Sequence, residues 1–233
     1  MKQDFTLEIQ HLSKSYHRGK KEILKDINVS IKNGACVGIL GANGSGKSTL
    51  LSILAGITTP TLGSFQVAHS TDATQATTNI GYIPQENPLM EELSALDNLR
   101  LWYSLSETSL EDELANGTLH ELGIHDFLKT KVKYMSGGMK KRLSIGCSLA
   151  KSPNILLLDE PGAALDLPCK ETILHCLQSY KAKGNLAIIA THEEAEIEIC
   201  DQLFLLQDGT LLPFSYDGNL DTIVNAIQKG VSQ

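Results

Sequence analysis

Several features that would place this chain of 233 residues in a particular class are missing from it. Its longest apolar runs, such as residues 155–158, are far too short to cross a bilayer as a helix. Residues 1–4 lack the apolar stretch of a signal peptide. The chain has no internal repeat and no low-complexity tract. We therefore expect a globular protein with no signal peptide and no transmembrane segment.

Metal-binding cysteine pairs and an excess of positive charge are also missing. The five cysteines form no CxxC pair and have no metal-ligand spacing, so we expect buried, reduced thiols as in a cytosolic protein. Lysine and arginine total 20 against 27 aspartate and glutamate, which gives a formal net charge of −7. Because proteins that bind nucleic acid in bulk are more often basic, nucleic acid is not an expected partner.

The most informative feature that is present is a glycine-rich run, residues 41–49, which fits G-x-x-x-x-G-K-[ST]. An apolar, strand-like segment precedes it and a helix-like segment follows, which is the context that this phosphate loop requires. Glycines let backbone N–H groups turn toward phosphate oxygens, and the helix start adds its positive dipole end. The sequence therefore predicts a nucleoside triphosphate site made by Gly41, Asn43, Gly44, Ser45, Gly46, Lys47, Ser48 and Thr49.

Two side chains of this loop have predicted roles of their own. We expect Lys47 to reach the terminal phosphates as a point charge and the Ser48 hydroxyl to hold Mg²⁺. A second apolar strand, residues 155–158, ends in Asp159 and Glu160. A carboxylate beside a phosphate loop can hold the same Mg²⁺, which we assign to Asp159. The next carboxylate, Glu160, can orient or deprotonate the attacking water.

The pattern of apolar residues predicts an α/β fold. The first third of the chain alternates apolar and polar residues, as in half-exposed antiparallel strands. Continuously apolar runs at residues 155–158 and 186–190 flank a predicted helix at 168–183, which indicates a β-α-β unit and a parallel sheet. Residues 89–149 are mostly helical in pattern, with breaks near residues 116–117 and 123. We also predict a surface loop at residues 70–79 and a last amphipathic helix at 221–229.

A further motif, Ser136-Gly137-Gly138-Met139, stands where a helix is predicted to begin. It offers a second site for an anion, with a hydroxyl and free N–H groups. Combined with the phosphate loop and the paired acids, it makes the chain similar to the nucleotide-binding domains of the ATP-binding cassette (ABC) family. The resemblance extends from about residue 7 to residue 209.

The resemblance implies a P-loop NTPase cassette, which has a mixed core sheet flanked by helices. It implies a single domain over residues 1–233. Within it, a RecA-like core and a small antiparallel β lobe would take residues 1–85 and 151–212, and an inserted α-helical lobe residues 86–150. A C-terminal helix would occupy residues 219–230.

The same resemblance assigns roles to side chains around the nucleotide. Tyr16 resembles the aromatic residue that stacks on adenine, and Gln85 the glutamine that senses Mg²⁺ and water. His192 resembles the switch histidine that contacts the γ-phosphate. The implied cofactors are ATP and Mg²⁺. The predicted catalytic residues are Glu160, His192, Lys47 and Gln85, and the predicted metal ligands are Ser48, Gln85 and Asp159.

Other residues are implied to act across a dimer. Ser136 to Met139 resemble the signature segment that caps ATP bound to the opposite subunit, and Asp166 lies in the loop that communicates between subunits. The chain departs from the family at two positions. Met139 stands where glutamine is common, and Gly162 follows Pro161 where threonine or serine is more usual. We expect the signature to remain competent because the serine and both glycines are kept.

The implied function is that of an ATP-hydrolysing subunit that powers a membrane transporter through ATP-driven dimer closure. The motif subtype looks most like that of exporters for drug or peptide resistance. Implied partners are a second ABC subunit, identical or related, and integral membrane permease subunits at the cytoplasmic face of the membrane. Candidate contacts with the permease are Leu89, Met90, Leu93, Trp102 and Tyr103.

Two other functions stay open at this point. The first is a soluble ABC ATPase that acts on ribosomes, DNA or iron–sulfur assembly. The chain carries one cassette rather than two and has no long coiled-coil insertion, which argues against the ribosomal and DNA-repair types. The second is a phosphate-loop kinase or GTPase, against which the signature segment and His192 argue.

Overall fold

Two β-sheets and a set of helices make up residues 4–16, 21–69 and 80–229, the part of the chain that the computed structural model describes. The strands are β1 (Phe5–Tyr16), β2 (Lys21–Lys32), β3 (Cys36–Leu40), β4 (Leu62–His69), β5 (Ile80–Ile83), β6 (Ile155–Asp159), β7 (Leu186–Ala190), β8 (Gln202–Gln207) and β9 (Thr210–Phe214). The helices are α1 (Lys47–Leu54), α2 (Ala95–Tyr103), α3 (Leu110–Asn116), α4 (Thr118–Glu121), α5 (Gly137–Ser148), α6 (Leu167–Ala182), α7 (Glu194–Glu198) and α8 (Leu220–Lys229). Two short 3₁₀ turns, Ile124–Phe127 and Val132–Tyr134, lie between α4 and α5.

The larger sheet has six strands in the order β5-β6-β7-β3-β8-β9. Its strands pair in parallel except at the edge, where β9 runs antiparallel to β8. Strands β3, β6 and β7 are buried at every residue, which explains their continuously apolar sequences. The smaller sheet, β2-β1-β4, is antiparallel. The predicted fold class, with a mixed core sheet and a small antiparallel sheet, is therefore confirmed.

Two apolar clusters cover the two faces of the larger sheet. Because side chains alternate along a strand, Leu157 of β6 faces the antiparallel sheet and α1, whereas Leu156 and Leu158 face α5 and α6. The five cysteines are free thiols, and only Cys200 among them is not fully buried.

The segment between β5 and β6 is helical, as the sequence pattern predicts. Helix α3 ends at Asn116 and α4 begins at Thr118. Gly123 has a φ of 62° and starts the first 3₁₀ turn, so both predicted breaks are present. The predicted loop at residues 70–79 lies outside the described residues, and the division into lobes stays a prediction. Within the described ranges, none of the helices is both long and apolar enough to span a membrane.

The register of the parallel strands brings the predicted site together. Ala190 of β7 lies opposite Ile39 of β3 on one side and Asp159 of β6 on the other. All three strands therefore end at the same edge of the sheet, where the phosphate loop, Glu160 and His192 follow them. This edge is where open α/β sheets bind their ligands.

Replacement of Gly63 tests a close backbone approach in the smaller sheet. A Cβ atom at Gly63 would overlap the His11 carbonyl, where β1 is bulged, and Gly63 has a φ of 74°. Gly56 has a similar φ of 72° but open space around it. We expect Gly63→Ala to lower the free energy of unfolding by about 3 kcal/mol and Gly56→Ala by about 1 kcal/mol. Urea denaturation measures both values, and equal losses would contradict the close approach.

Candidate nucleotide site

The phosphate loop has the backbone conformation that its glycines predict. Gly44 and Gly46 have φ values of 80° and 111°, in the region that favours glycine. Helix α1 begins directly after Gly46, and no side chain caps its first N–H groups. These groups are therefore available to an anion.

Lys47 lies beneath this loop with only 5% of its surface exposed. Its ammonium group donates to the carbonyl of Gly41 at 2.7 Å and to that of Ala42 at 3.2 Å. Burial lowers the pKa of Lys47, and the nearby carboxylates of Glu160 and Asp159 oppose that shift. The lysine is thus a fixed cation that is held by the loop itself.

A cavity of about 530 Å³ opens in front of the loop. Tyr16 lines it, and so do Gln85 and Glu160 from other parts of the chain. Lys21 and Ile23, at the start of β2, also line it and were not predicted. No motif marks these two residues in the sequence, because only the packing of β2 beside Gly46 brings them here.

Asp159 and Ser48 meet at the floor of the site. Asp159 is 4% exposed, and burial raises its pKa. The nearby Ser48 hydroxyl lowers the pKa of Asp159 and partly offsets that shift. Among the described residues, no basic side chain forms an ion pair with Asp159. A buried carboxylate, a hydroxyl and the Gln85 amide oxygen are hard ligands of the kind that Mg²⁺ prefers, so this set fits the ion.

Glu160 occupies a strained backbone position between two other polar side chains. Its φ is 49°, which is uncommon for a residue with a side chain, and its N–H donates to the Ala190 carbonyl at 2.9 Å. One carboxylate oxygen accepts from Gln85 Nε2 at 3.2 Å. The other lies 3.6 Å from His192 Nε2. The predicted catalytic residues Gln85, Glu160 and His192 therefore do come together.

The protonation of His192 follows from its surroundings. Burial lowers its pKa, and the Lys47 ammonium lowers it further, against the opposing effect of Glu160 and Glu193. Because the ordinary value is already below 7, the imidazole is mostly neutral at neutral pH. A neutral imidazole can donate one hydrogen bond to a phosphate oxygen.

The signature segment, residues 136–139, does not share this cavity. Ser136 caps α5 by accepting from Met139 N at 3.2 Å, and Ser136 and Gly137 are exposed. Ser136, Gly138 and Met139 line a separate pocket of about 150 Å³ together with Asp166, which caps α6. None of these signature-side residues lines the nucleotide cavity of the same copy. Four other predicted site residues, Gly41, Ser45, Asp159 and His192, adjoin residues that line the cavity but do not line it themselves.

A buried lysine connects the signature helix to the nucleotide cavity. Lys141 of α5 is 4% exposed and donates to the carbonyls of Pro84 and Gln85 at 3.1 and 3.2 Å. Sequence reasoning missed it because Lys140 beside it looks the same, although Lys140 instead pairs with Glu91 at the surface. The Gln85 loop and the signature helix are thereby held together.

Comparison with known proteins agrees with this geometry. The ABC transporter family model matches residues 24–163. The chain is 31% identical over 240 residues to LnrL, the linearmycin resistance ATP-binding protein of Bacillus subtilis (strain 168), with 97% of this chain and 76% of that protein covered. It is 35% identical over 223 residues to SrtF, a lantibiotic transport ATP-binding protein of Streptococcus pyogenes, with 94% and 96% covered.

A solved structure is similar in fold. It is described as the dimeric, post-hydrolysis state of an ATP-binding cassette bound to ADP and Pi. Its TM-score is 0.76 at 28% identity, over 88% of this chain and 96% of that chain.

The position of Glu160 generates a prediction for Glu160→Gln. We expect ATP and Mg²⁺ still to bind, because Lys47, Ser48 and Asp159 remain. Hydrolysis should fall roughly a hundredfold, equivalent to about 2.7 kcal/mol, as a positioned base is lost. Phosphate release and a fluorescent-nucleotide titration measure the two quantities. Glu194→Gln, at an exposed glutamate outside the cavity, is the control, and an unchanged rate in Glu160→Gln would exclude Glu160 as the base.

Proposed function

The chain belongs to the ABC transporter family, in which it is an ATP-binding and ATP-hydrolysing subunit, and we propose that it drives the export of antimicrobial compounds. The observation that carries the catalytic part of this proposal is the contact of Glu160 with both Gln85 and His192 at the mouth of the phosphate cavity. The relatives' names join ATP binding to linearmycin resistance and lantibiotic transport. They support antimicrobial compounds as the class that is transported.

In the proposed mechanism, the phosphate loop and Lys47 bind the phosphates. Mg-ATP, when bound, supplies the γ-phosphoryl group and a cation that neutralises its charge. Ser48, Asp159 and Gln85 would hold that cation, and Tyr16 would stack on the adenine. Lys47 would exchange its two loop carbonyls for phosphate oxygens, which is favourable because a charge-assisted hydrogen bond is the stronger one.

Hydrolysis would use the side chains at the ends of β6 and β7. Glu160 would accept a proton from the attacking water, and Gln85 would orient that water through its contact with Glu160. His192 would donate a hydrogen bond to the γ-phosphate. Its lowered pKa suits this role, because a mostly neutral ring does not form a permanent ion pair that would hold Glu160 away from water.

The signature segment would complete the site of a second subunit. Ser136 and Gly137 are exposed at the start of α5, where free N–H groups and a hydroxyl can meet a γ-phosphate. Because these residues do not line the nucleotide cavity of their own copy, an opposing copy, identical or related, would present them. Asp166 lies beside the signature and would communicate between the subunits. Binding of two ATP molecules would then close the dimer, and hydrolysis would release it.

A groove beside the Gln85 loop is the proposed contact with a permease at the cytoplasmic face of the membrane. It has a volume of about 940 Å³ and is lined mainly by apolar side chains, including Ile57, Phe65 and Trp102. Of the predicted contacts, Met90 and Trp102 are exposed and suit this role. Tyr103 is buried in the core of the helical segment, so its assignment as a contact is wrong.

Mixed dimers test the sharing of sites. Lys47→Ala should weaken ATP binding to its own loop and abolish turnover there. Ser136→Arg should obstruct the opposing site while its own loop still binds ATP. In a Lys47→Ala and Ser136→Arg heterodimer, one composite site carries both changes and the other carries neither. We expect phosphate release to recover above that of either mutant homodimer. Full activity of the Ser136→Arg protein alone would remove the signature from the mechanism.

Membrane association tests the transporter role against a soluble ABC ATPase. In the cells that encode it, the chain should fractionate with membranes, and Trp102→Glu should shift it to the soluble fraction by placing a charge in the apolar groove. Leu212→Glu is the control, because Leu212 is also exposed but lies on β9 at the other edge of the sheet from the groove. Immunoblots of the two fractions measure the effect. A wild-type chain in the soluble fraction alone would favour the soluble ATPase.

A further inference from the structure

A buried glutamate behind His192 has no part in the mechanism above. Glu196, in α7, is 4% exposed. Its Oε2 atom is buried and has no hydrogen-bond partner among the described residues. A buried carboxylate oxygen without a partner is costly to a fold, so its presence there calls for a physical reason.

The carboxyl of Glu196 lies between two segments of the site. On one side is the switch loop, residues 191–193. On the other is the turn that directly follows the acids Asp159 and Glu160, residues 161–163, which is called the acidic turn below. The Thr191 hydroxyl and the Gly162 backbone N–H both lie near the carboxyl, lower its pKa and so favour its ionised form. The approach to Gly162 is so close that a Cβ atom on that residue would overlap Glu196 Oε1.

A second contact joins the same segments. Lys170 of α6 pairs with Glu193 of the switch loop, with Nζ and Oε2 2.7 Å apart. The Cγ atom of Lys170 lies 3.8 Å from the position of a Cβ on Gly162. The switch loop, the acidic turn and the start of α6 are therefore in mutual contact on the side away from the cavity.

We propose that Glu196 is a positioning residue for ATP hydrolysis, which joins the acidic turn to the switch loop and so fixes Glu160 relative to His192. The inference rests on the proposed function, since those two residues are the groups to be aligned. The turn begins directly after Glu160, whose strained φ of 49° needs support from its surroundings. The contact also accounts for Gly162, because a threonine or serine there would place its Cβ where the carboxylate lies.

The charge of Glu196 predicts how its effect on hydrolysis should depend on pH. Burial raises the pKa of Glu196 to about 7. The charged and titratable groups that face it are Glu193, which raises the value, Lys170, which lowers it, Lys141 of α5 and the Cys200 thiol. Below pH 7 the carboxyl is mostly protonated, and its interactions with the Gly162 N–H and the Thr191 hydroxyl lose the strength that a negative charge adds.

The first experiment is a double-mutant cycle on the full chain, with kcat and KM for ATP measured by phosphate release. Gly162→Ser should lower kcat about tenfold in the wild-type background, because its Cβ displaces the carboxylate and the turn, but should change kcat less than about twofold in a Glu196→Ala background. KM should move little in either case, because Glu196 does not line the nucleotide cavity. Equal losses of kcat in the two backgrounds would contradict the proposed coupling between Gly162 and Glu196.

The second experiment compares pH profiles of wild type and Glu196→Gln, an isosteric change that removes the charge. The ratio of the wild-type kcat to the Glu196→Gln kcat should be about five at pH 8. It should fall toward one at pH 6, because the wild-type carboxyl takes up its proton. Titration of His192 occurs in both proteins and cancels in the ratio. Glu198→Gln, an exposed glutamate on the same helix, should give a ratio near one throughout.

A merely structural role for Glu196 would leave the ratio independent of pH, and that outcome would overturn the proposal. The results distinguish a failure of the proposed function from a failure of the role proposed for Glu196. A wild-type chain without ATPase activity, or a Glu160→Gln variant with full activity, would contradict the proposed function. A wild-type chain that hydrolyses ATP through Glu160, combined with an additive cycle and a flat ratio, would contradict the role of Glu196 alone.

Discussion

The parallel pairing of β3, β6 and β7 is the constraint on which the site depends. Ile39, Ala190 and Asp159 lie side by side across the three strands, so the segments that follow them leave the sheet at one level. Parallel strands keep this register only if both faces are covered, and the two apolar clusters supply that cover. A slip of one residue in β6 would turn Asp159 from the site toward a core face.

The second feature on which the site depends is a pair of buried lysines. Lys47 and Lys141 are both nearly inaccessible to water, yet neither forms an ion pair within the described ranges. Each donates instead to two backbone carbonyls, Lys47 to its own loop and Lys141 to the Gln85 loop. The lysines thus hold loops in place, and their charge acts through space on Asp159 and Glu160. This arrangement leaves the carboxylates available to a metal ion and water.

The site of one copy is polar and open on one side. Among the described residues, the lining of the cavity includes the phosphate loop, the Lys47 cation and Glu160, and it does not include the signature segment. The signature segment lies at another surface of the same chain. Under the proposed function, this surface would meet the cavity of a second copy, and ligand binding would then be coupled to association. Lys141 links the two, because it connects the signature helix to the loop that carries Gln85.

Local motifs and apolar periodicity determined a large part of this protein without its structure. The phosphate loop, the acids at the end of β6 and the capped start of α5 each depend on neighbours in sequence, and all are found where they were predicted. The sheet class followed in the same way, because fully buried parallel strands are apolar at every residue. The roles assigned to Ser136, Asp166 and Tyr16 stay predictions, since they concern ligands and a second subunit.

Tertiary structure alone decided which distant residues meet. Lys21 and Ile23 reach the cavity only because β2 packs beside Gly46, and Tyr103 turns out to be core although its neighbour Trp102 is exposed. In the sequence, Glu196 is one of several acids at the start of a helix, and Gly162 is an unusual residue in a turn. Their contact depends on the packing of α7 against the turn after β6. Sequence patterns report periodicity and short-range geometry, whereas a contact between residues 34 positions apart depends on how all the intervening elements pack.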